Sequence, residues 1–191
     1  MKGAVAYDRG IVFFGAYDGR LYALRADDGK PLWRAESNRD WFGGHGTFYS
    51  TPTVAYSRVY LGSTDGHVYS FGEESGKLRW SYGTGGYVYG SPAVWRGRVY
   101  VGSYDGLLYC LSARRGTTLW TVSAGGPISG AVTVVGGVAY AGSTRGSIVG
   151  ADARSGRVLL RFPHGEYVPV SGNGGTLLLH GYSRIYAVKA A

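Results

Sequence analysis

Three aspartates stand at matching positions in the sequence and are the first candidates for chemistry. Asp18, Asp65 and Asp105 each precede a glycine between two apolar runs. Carboxylates grouped on one face could bind calcium or act as acids and bases. Asp-Gly is also a strong hairpin-turn signal, because aspartate bonds its own backbone and tolerates the turn geometry. Since Arg145 occupies the fourth matching position, we interpret the three aspartates as turn residues.

The other metal-binding and nucleophilic side chains form no recognisable set. The histidines His45, His67, His164 and His180 lack the spacing of a zinc site. The single cysteine, Cys110, lies within an apolar run, which predicts a buried and unreactive thiol. The sequence contains no nucleophile elbow, phosphate-binding loop or paired-carboxylate signature. We therefore expect no metal site and no catalytic residues.

Aromatic residues are concentrated in the segments that join successive repeats. The first of these segments, 36–47, is about seven residues longer than the others and rich in aromatic residues and glycine. An insertion in a regular repeat is a candidate functional loop, and loop aromatics make rigid contacts with partners or sugars. The alternative is that they only cover the strand ends. The predicted partner-binding residues are Trp41, Phe42, His45, Phe48, Tyr49, Tyr87, Tyr89, Glu166 and Tyr167, with Tyr17, Tyr104, Pro127 and Ile128 beside them.

The elements that position these residues recur along the chain. The run 99–106 has counterparts around Gly15, Gly62 and Gly142, and a weaker one around Gly181. Each unit contains four short apolar segments separated by glycine turns, which predicts a four-stranded antiparallel meander. Segments that are apolar on both faces, such as 107–111, indicate sheets covered on both sides. Stacked four-stranded sheets at a period near 40 residues predict an all-β fold, the β-propeller.

We predict a single propeller domain over 1–191, with four complete blades and most of a fifth. The blades are expected at about 1–38, 47–84, 87–124, 127–163 and, in part, 166–191. Blades need neighbours on both faces, so we expect further blades from a longer chain. A closed ring of five blades and the assembly of several copies are the alternatives.

A second repeated signature places a glycine turn four residues before a tryptophan. Its copies are Gly29 with Trp33, Gly76 with Trp80, Gly116 with Trp120, and Gly156 with Leu160 in place of tryptophan. We expect the three tryptophans to be buried between blades. The signature resembles the tryptophan-docking motif, Ala-x-Asp-x-x-x-Gly-x-x-x-Trp, of the pyrroloquinoline-quinone (PQQ)-like β-propeller repeat family. The resemblance covers nearly the whole chain.

The resemblance implies two possible functions. PQQ-dependent dehydrogenases of similar repeats are much longer, and they typically add calcium ligands, a catalytic aspartate and, in many, a disulfide between adjacent cysteines. This chain has one cysteine and two asparagines, Asn38 and Asn173, and no calcium set that can be aligned. We therefore expect a non-catalytic scaffold without a cofactor, which binds a protein, peptide or glycan, similar to the scaffold propellers of bacterial envelope assembly. Part of a PQQ- and calcium-dependent dehydrogenase is the alternative.

The charge pattern bears on partners and compartment. The net charge is +8, but the basic residues are scattered over the repeats without a run of five, which is typical of a solvated surface. This pattern argues against a nucleic-acid partner. The sequence shows no bilayer-length apolar run and no signal peptide, which indicates a soluble chain. The compartment stays open, and the resemblance implies the periplasm or the extracellular space for a longer family member.

Overall fold

The chain folds into β-strands and turns throughout the residues that the computed structural model describes, which are 3–38, 45–166, 169–173 and 175–189. Nineteen strands in these residues form five antiparallel sheets. Strands that are neighbours in a sheet are also neighbours in the chain, so every sheet is a meander. Short glycine turns join the strands, which explains why each pairing is antiparallel. These sheets are the blades of the predicted all-β propeller.

Four blades have four strands each, and the fifth has three in the described residues. Blade 1 contains β1 (Ala6–Asp8), β2 (Ile11–Gly15), β3 (Arg20–Arg25) and β4 (Pro31–Glu36). Blade 2 contains β5 (Thr53–Ala55), β6 (Arg58–Gly62), β7 (His67–Gly72) and β8 (Leu78–Gly83). Blade 3 contains β9 (Ala93–Trp95), β10 (Arg98–Gly102), β11 (Leu107–Ser112) and β12 (Thr118–Ser123). Blade 4 contains β13 (Thr133–Val135), β14 (Val138–Gly142), β15 (Ile148–Asp152) and β16 (Val158–Phe162). Blade 5 contains β17 (Ser171–Asn173), β18 (Thr176–His180) and β19 (Ile185–Lys189).

The core lies in layers between consecutive blades. Between blades 2 and 3, Tyr60 and Val68 pack with Val99, Val101 and Leu111, and all five are fully buried. Equivalent layers join blade 1 to blade 2, blade 3 to blade 4, and blade 4 to blade 5. A middle blade is covered on both faces, which is why its inner strands are apolar at consecutive positions.

The repeated tryptophans connect each blade to the next one. Trp80 on β8 lies over the turn of blade 3, where a Cβ atom at Gly116 would be 2.6 Å from the indole Cδ2. Its Nε1–H donates to the backbone carbonyl of Ala113 at 3.0 Å. The glycine is therefore required because the indole of the preceding blade occupies the space above it, and because its φ is +71°. Trp33 makes the same two contacts with blade 2, through Gly76 and the carbonyl of Glu73.

This docking weakens toward the end of the described chain. Trp120 lies over Gly156, but its buried Nε1–H has no hydrogen-bond partner among the described residues. Leu160, which stands at the next tryptophan position, is half-buried against blade 5. On blade 1, a Cβ atom at Gly29 would meet no atom within 4 Å in the described structure. The interfaces between blades are thus similar in plan and unequal in the contacts that they make.

A buried carboxylate lies beside the first of these docking contacts. Glu73 occupies the position that Ala113 and Ala153 hold in the next two blades, and its side chain is 1% exposed. It accepts a hydrogen bond from Arg9 of blade 1, while its Oε1 has no partner in the described residues. Burial raises the pKa of Glu73, and the hydrogen bond from Arg9 opposes that rise only in part.

The glycines that define the repeat receive a wedge from the loop between blades. A Cβ atom at Gly62 would lie 2.2 Å from Val88 Cγ1, and one at Gly102 would lie 2.2 Å from Ile128 Cγ2. Phe48 fills the same position against Gly15, and these three wedge residues are fully buried. Any side chain on the glycine would collide with the wedge, so both residues are fixed by packing.

Candidate functional site

One end of the blades is built from the loops between blades and the hairpin turns that join the second and third strands. We call this end the loop face; its described loops are 45–52, 84–92, 124–132 and 163–166, and its turns are 16–19, 63–66, 103–106, 143–147 and 181–184. Each of the first three loops is hydrogen-bonded to a turn of the following blade. Tyr104 N–H donates to Tyr87 O at 2.9 Å, and Thr144 N–H donates to Pro127 O at 2.8 Å. The loop face is therefore held by backbone contacts that repeat from blade to blade.

The turn aspartates are tied down by hydrogen bonds. Asp105 Oδ1 accepts from the N–H of Leu107 at 2.9 Å. Its Oδ2 accepts from Tyr109 Oη and from the N–H of Gly85, both at 2.7 Å. Burial and the hydrogen bond to Asp105 raise the pKa of Tyr109, so this phenol stays a donor. The interpretation of these aspartates as turn residues is confirmed, because their oxygens face the protein's own donors.

The pairing of aspartate with tyrosine was not anticipated from the sequence, although a signal for it is present. Asp18 pairs with Tyr22 at 2.6 Å, and Asp65 pairs with Tyr69. In blade 4 both partners change, to Arg145 and Val149. Without a carboxylate in the turn, a buried phenol at position 149 would lack its acceptor. The two positions, four residues apart, thus change together in the one copy of four that departs from the pair.

Five tyrosines on the loop face of blades 1 to 3 form a continuous chain of ring contacts, which we call the tyrosine row. Its members are Tyr17, Tyr49, Tyr89, Tyr87 and Tyr104. Tyr49 stacks on Tyr89 with ring centroids 5.4 Å apart, and Tyr17 meets Tyr49 edge to face at 5.1 Å. Tyr89 meets Tyr104 at 5.1 Å and Tyr87 at 5.6 Å.

The tyrosine row combines a fixed base with an exposed surface. Tyr17, Tyr87 and Tyr104 are 51%, 52% and 40% exposed, whereas Tyr49 and Tyr89 are half-buried between them. Burial, and then the neighbouring phenols, raise the pKa of Tyr89. The row thus presents three partly exposed phenol rings on a base of two half-buried ones. Such a surface suits partners that offer apolar groups together with hydrogen-bonding atoms.

The remaining predicted contact residues fall in several places. Phe48 is fully buried as a wedge, so it offers no surface to a partner. His45 is half-buried and close to the carbonyl of Ser37, at 3.0 Å from its Nδ1. Glu166 is half-buried, and its backbone N–H donates to His180 O. Trp41, Phe42 and Tyr167 lie outside the described residues.

At blades 4 and 5 the loop face is cationic and contains a cavity of about 370 Å³. The cavity is lined by Gly146, Pro163, His164, Gly165, Tyr182, Ser183, Arg184 and Tyr186. Arg184, Tyr182 and His164 are exposed at its rim, and Arg145 is exposed on the adjoining turn. Sequence reasoning assigned no role to Arg184, because a lone arginine in a weak repeat copy carries no motif.

The thiol of Cys110 is fully buried in the layer between blades 3 and 4. Burial raises its pKa to about 12, so the reactive thiolate form is scarce at neutral pH.

The described residues contain no helix that is long and apolar enough to span a membrane.

Stacked blades of four antiparallel strands, docked through tryptophans and carrying loops at one end, define a β-propeller of PQQ-type repeats. Two stretches of the chain, residues 1–88 and 84–190, match the family model described as outer membrane protein assembly factor BamB. Together they cover almost the whole sequence. The chain belongs to this family.

Curated relatives with related sequences are subunits of enzymes. The chain is 36% identical over 89 residues to the dehydrogenase subunit of the quinone alcohol dehydrogenase of Gluconobacter oxydans (strain 621H). It is 33% identical over 94 residues to the corresponding subunit from Gluconacetobacter polyoxogenes. Each match covers 41% of this chain and 12% of the relative. The matched region is thus a small part of those proteins.

Solved structures with the same fold include a BamB propeller and a quinohemoprotein dehydrogenase. BamB from Moraxella catarrhalis superposes with a TM-score of 0.83 at 22% identity, over 98% of this chain and 58% of that one. The quinohemoprotein alcohol dehydrogenase of Comamonas testosteroni gives 0.79 at 15% identity, over 98% of this chain and 41% of that one. At these sequence identities the structural likeness establishes the fold alone, so the function has to be argued from the residues of the site.

Proposed function

We propose that this chain is a non-catalytic binding propeller that recognises a protein or peptide segment on its loop face. The observation that carries the proposal is the tyrosine row, in which Tyr17, Tyr87 and Tyr104 expose about half of their surface while remaining in ring contact. Exposed apolar surface that is contiguous marks interaction sites, and tyrosine is enriched at the energetic centres of protein interfaces.

The support beneath the row favours binding over simple coverage of the blade ends. Because the loops are hydrogen-bonded to the turns and wedged into the glycines, the rings lose little further freedom when a partner binds. A tyrosine has only two side-chain torsions, so its ordering costs less than that of a long flexible side chain. If the rings only covered the strand ends, we would expect them to be buried, whereas three of the five are exposed.

Membership in the family of the outer membrane protein assembly factor BamB supports a protein partner and a location in the cell envelope. The relatives' names raise the alternative, a piece of a quinone-dependent alcohol dehydrogenase. The described residues do not fit a calcium–quinone centre, because they bring together no three His, Cys, Asp or Glu side chains that could hold a metal ion. We derive no catalytic step from them.

A peptide selection tests the binding proposal. Random peptides of about twelve residues, displayed on phage, are selected on the intact chain, and enriched peptides are measured by fluorescence anisotropy. We expect affinities to fall by about tenfold or more in Tyr87→Ala and in Tyr104→Ala, as for central interface aromatics. Tyr56→Ala is the matched control, since Tyr56 is 57% exposed on the β5–β6 turn at the opposite end of the blade.

Equal binding by the row variants and wild type would overturn the proposal. Suppose that no peptide is enriched, and that glycans on an array bind wild type but not Tyr87→Ala. The row would then be a sugar-binding surface, and the protein assignment would be wrong.

The enzyme alternative is tested by titrating the chain with PQQ and calcium. A saturable absorbance change with dye reduction by ethanol would reverse the non-catalytic assignment.

A further inference from the structure

The cationic part of the loop face follows the tyrosine row, with the loop 124–132 between the two. Tyr104 lies in the turn 103–106, where a Cβ atom at Gly106 would be 3.3 Å from the carbonyl oxygen of Gly126. On its other side, Gly126 is covered by the side chain of Arg145, whose Cγ would lie 2.7 Å from a Cβ atom there. The aliphatic part of Arg145 therefore crosses the next loop, and its exposed guanidinium lies one turn beyond the row.

The same turn also forms one wall of the cavity between blades 4 and 5. Gly146, which follows Arg145, lines the cavity, and its carbonyl accepts a hydrogen bond from Gly165 N–H at 3.1 Å. Arg184 and Ser183 approach from the turn of blade 5. The path along the loop face thus leads from rings, past one arginine, to a cavity whose rim carries a second arginine and hydroxyl donors.

Arg145 and Arg184 differ from Arg9, Arg20 and Arg25 of blade 1 in lacking an acidic partner among the described residues. Arg9, Arg20 and Arg25 each have a carboxylate oxygen within 4.0 Å. In the part of the chain that the structure describes, no carboxylate lies within that distance of Arg145 or Arg184, although Glu166 stands on the neighbouring loop. Both arginines are exposed to solvent.

From this arrangement we infer that the partner is an extended polypeptide segment with two unlike ends. Its apolar, aromatic or proline-containing end contacts the tyrosine row, and its acidic end contacts Arg145 and Arg184. This inference rests on the proposed function and adds the direction in which the segment lies. Unpaired arginines attract carboxylates and set the register of a charged partner, while the tyrosines supply most of the affinity.

The peptide selection described above also tests this inference. Peptides enriched on wild type are expected to combine aromatic or proline residues with a cluster of Asp or Glu toward one end. Selection on the double variant Arg145→Glu, Arg184→Glu is expected to lose that acidic cluster and to keep the aromatic residues. The double variant should bind one such enriched peptide about tenfold more weakly than wild type. The affinity of wild type should fall between about 50 and about 300 mM NaCl, and that of the double variant should fall less.

A matched control separates a local site from general attraction by the net charge of +8. The double variant Arg114→Glu, Arg115→Glu carries the same charge change on the β11–β12 turn, at the opposite end of blade 3. We expect it to bind like wild type, and an equal loss in both double variants would overturn the inference.

The outcomes also separate the two proposals. If enriched peptides carry no excess of acid, or if the Arg145 and Arg184 variant binds normally while Tyr87→Ala does not, the acidic end is wrong and the binding face stands. If neither the tyrosine variants nor the Arg145 and Arg184 variant changes the affinity, or if no peptide is enriched, both proposals are wrong.

Discussion

Blades 2 and 3 meet through a different set of side chains from blades 4 and 5, although both pairs share one strand plan. Trp80 lies over Gly116 and donates to a carbonyl, whereas Leu160 has no donor to offer. Where blade 3 pairs Asp105 with Tyr109, blade 4 has an arginine and a valine. The turn aspartate and its tyrosine are therefore a coupled pair, in which the loss of one member removes the reason for its partner.

The difference also separates structural from available groups on the loop face. In blades 1 to 3 the turn carboxylates accept hydrogen bonds from the protein's own donors, and exposed tyrosine rings lie on the same face. In blade 4 the turn no longer needs its acid, and Arg145 is left exposed to solvent. The exchange of aspartate for arginine thus alters what the surface presents.

The largest expected effect is at the docking tryptophan. Trp80→Ala should lower the free energy of unfolding by about 3–5 kcal/mol, because it empties the space over Gly116 and removes a buried hydrogen bond. Leu160→Ala should cost less, about 1–2 kcal/mol, since Leu160 is only half-buried. Urea unfolding followed by circular dichroism measures both. Equal losses would show that the two interfaces are equivalent after all.

A smaller effect is expected at the hairpin turns. Asp105→Ala should cost about 2–3 kcal/mol, because three donors lose their charged acceptor. Arg145→Ala, its counterpart in blade 4, should change stability by no more than about 0.5 kcal/mol. The same unfolding experiment compares the two. A costly Arg145→Ala would mean that this arginine has a structural role, which would also weaken its assignment to a partner.

The buried carboxylate of blade 2 gives the smallest effect, and one that depends on pH. The pKa of Glu73 is raised in the folded protein, so the stability tied to its protonated form is lost as the pH rises through that value. Glu73→Ala, which copies the alanine of blades 3 and 4, should therefore gain on the order of 1 kcal/mol near neutral pH. The gain should shrink as the pH falls toward 4, because the carboxyl then becomes protonated in the unfolded state as well. Unfolding at the two pH values checks the sign, and a loss at neutral pH would show that the bond from Arg9 outweighs burial.

Much of the fold was predictable because its signals are local and repeated. Asp-Gly turns, apolar runs and the glycine–tryptophan spacing each specify a strand or a turn within about ten residues. The loop face was predictable as a place, since a meander brings equivalent turns to one end. Tyr49, Tyr87 and Tyr89 lie on the face where the sequence placed them, and their contact with a partner remains a prediction.

Other features depend on contacts between distant residues and could not be assigned from one copy. Phe48 was predicted to face a partner, yet it is a wedge, because only the alignment of Phe48, Val88 and Ile128 opposite the repeat glycines reveals that role. The aspartate–tyrosine pairs leave a trace in the sequence only because Arg145 and Val149 change together. The ring geometry of the tyrosine row depends on how neighbouring blades are rotated, which no single segment specifies.

Docking of each blade on its immediate neighbour has a consequence for how the molecule opens. A linear array coupled through adjacent contacts does not need to unfold all at once, since its stability is a sum of blade and interface contributions. The interface through Leu160 offers the least coupling, so blade 5 should exchange its amide hydrogens through partial opening while blade 3 exchanges only through global opening. The tryptophans thus determine how cooperative the protein is, as well as how stable.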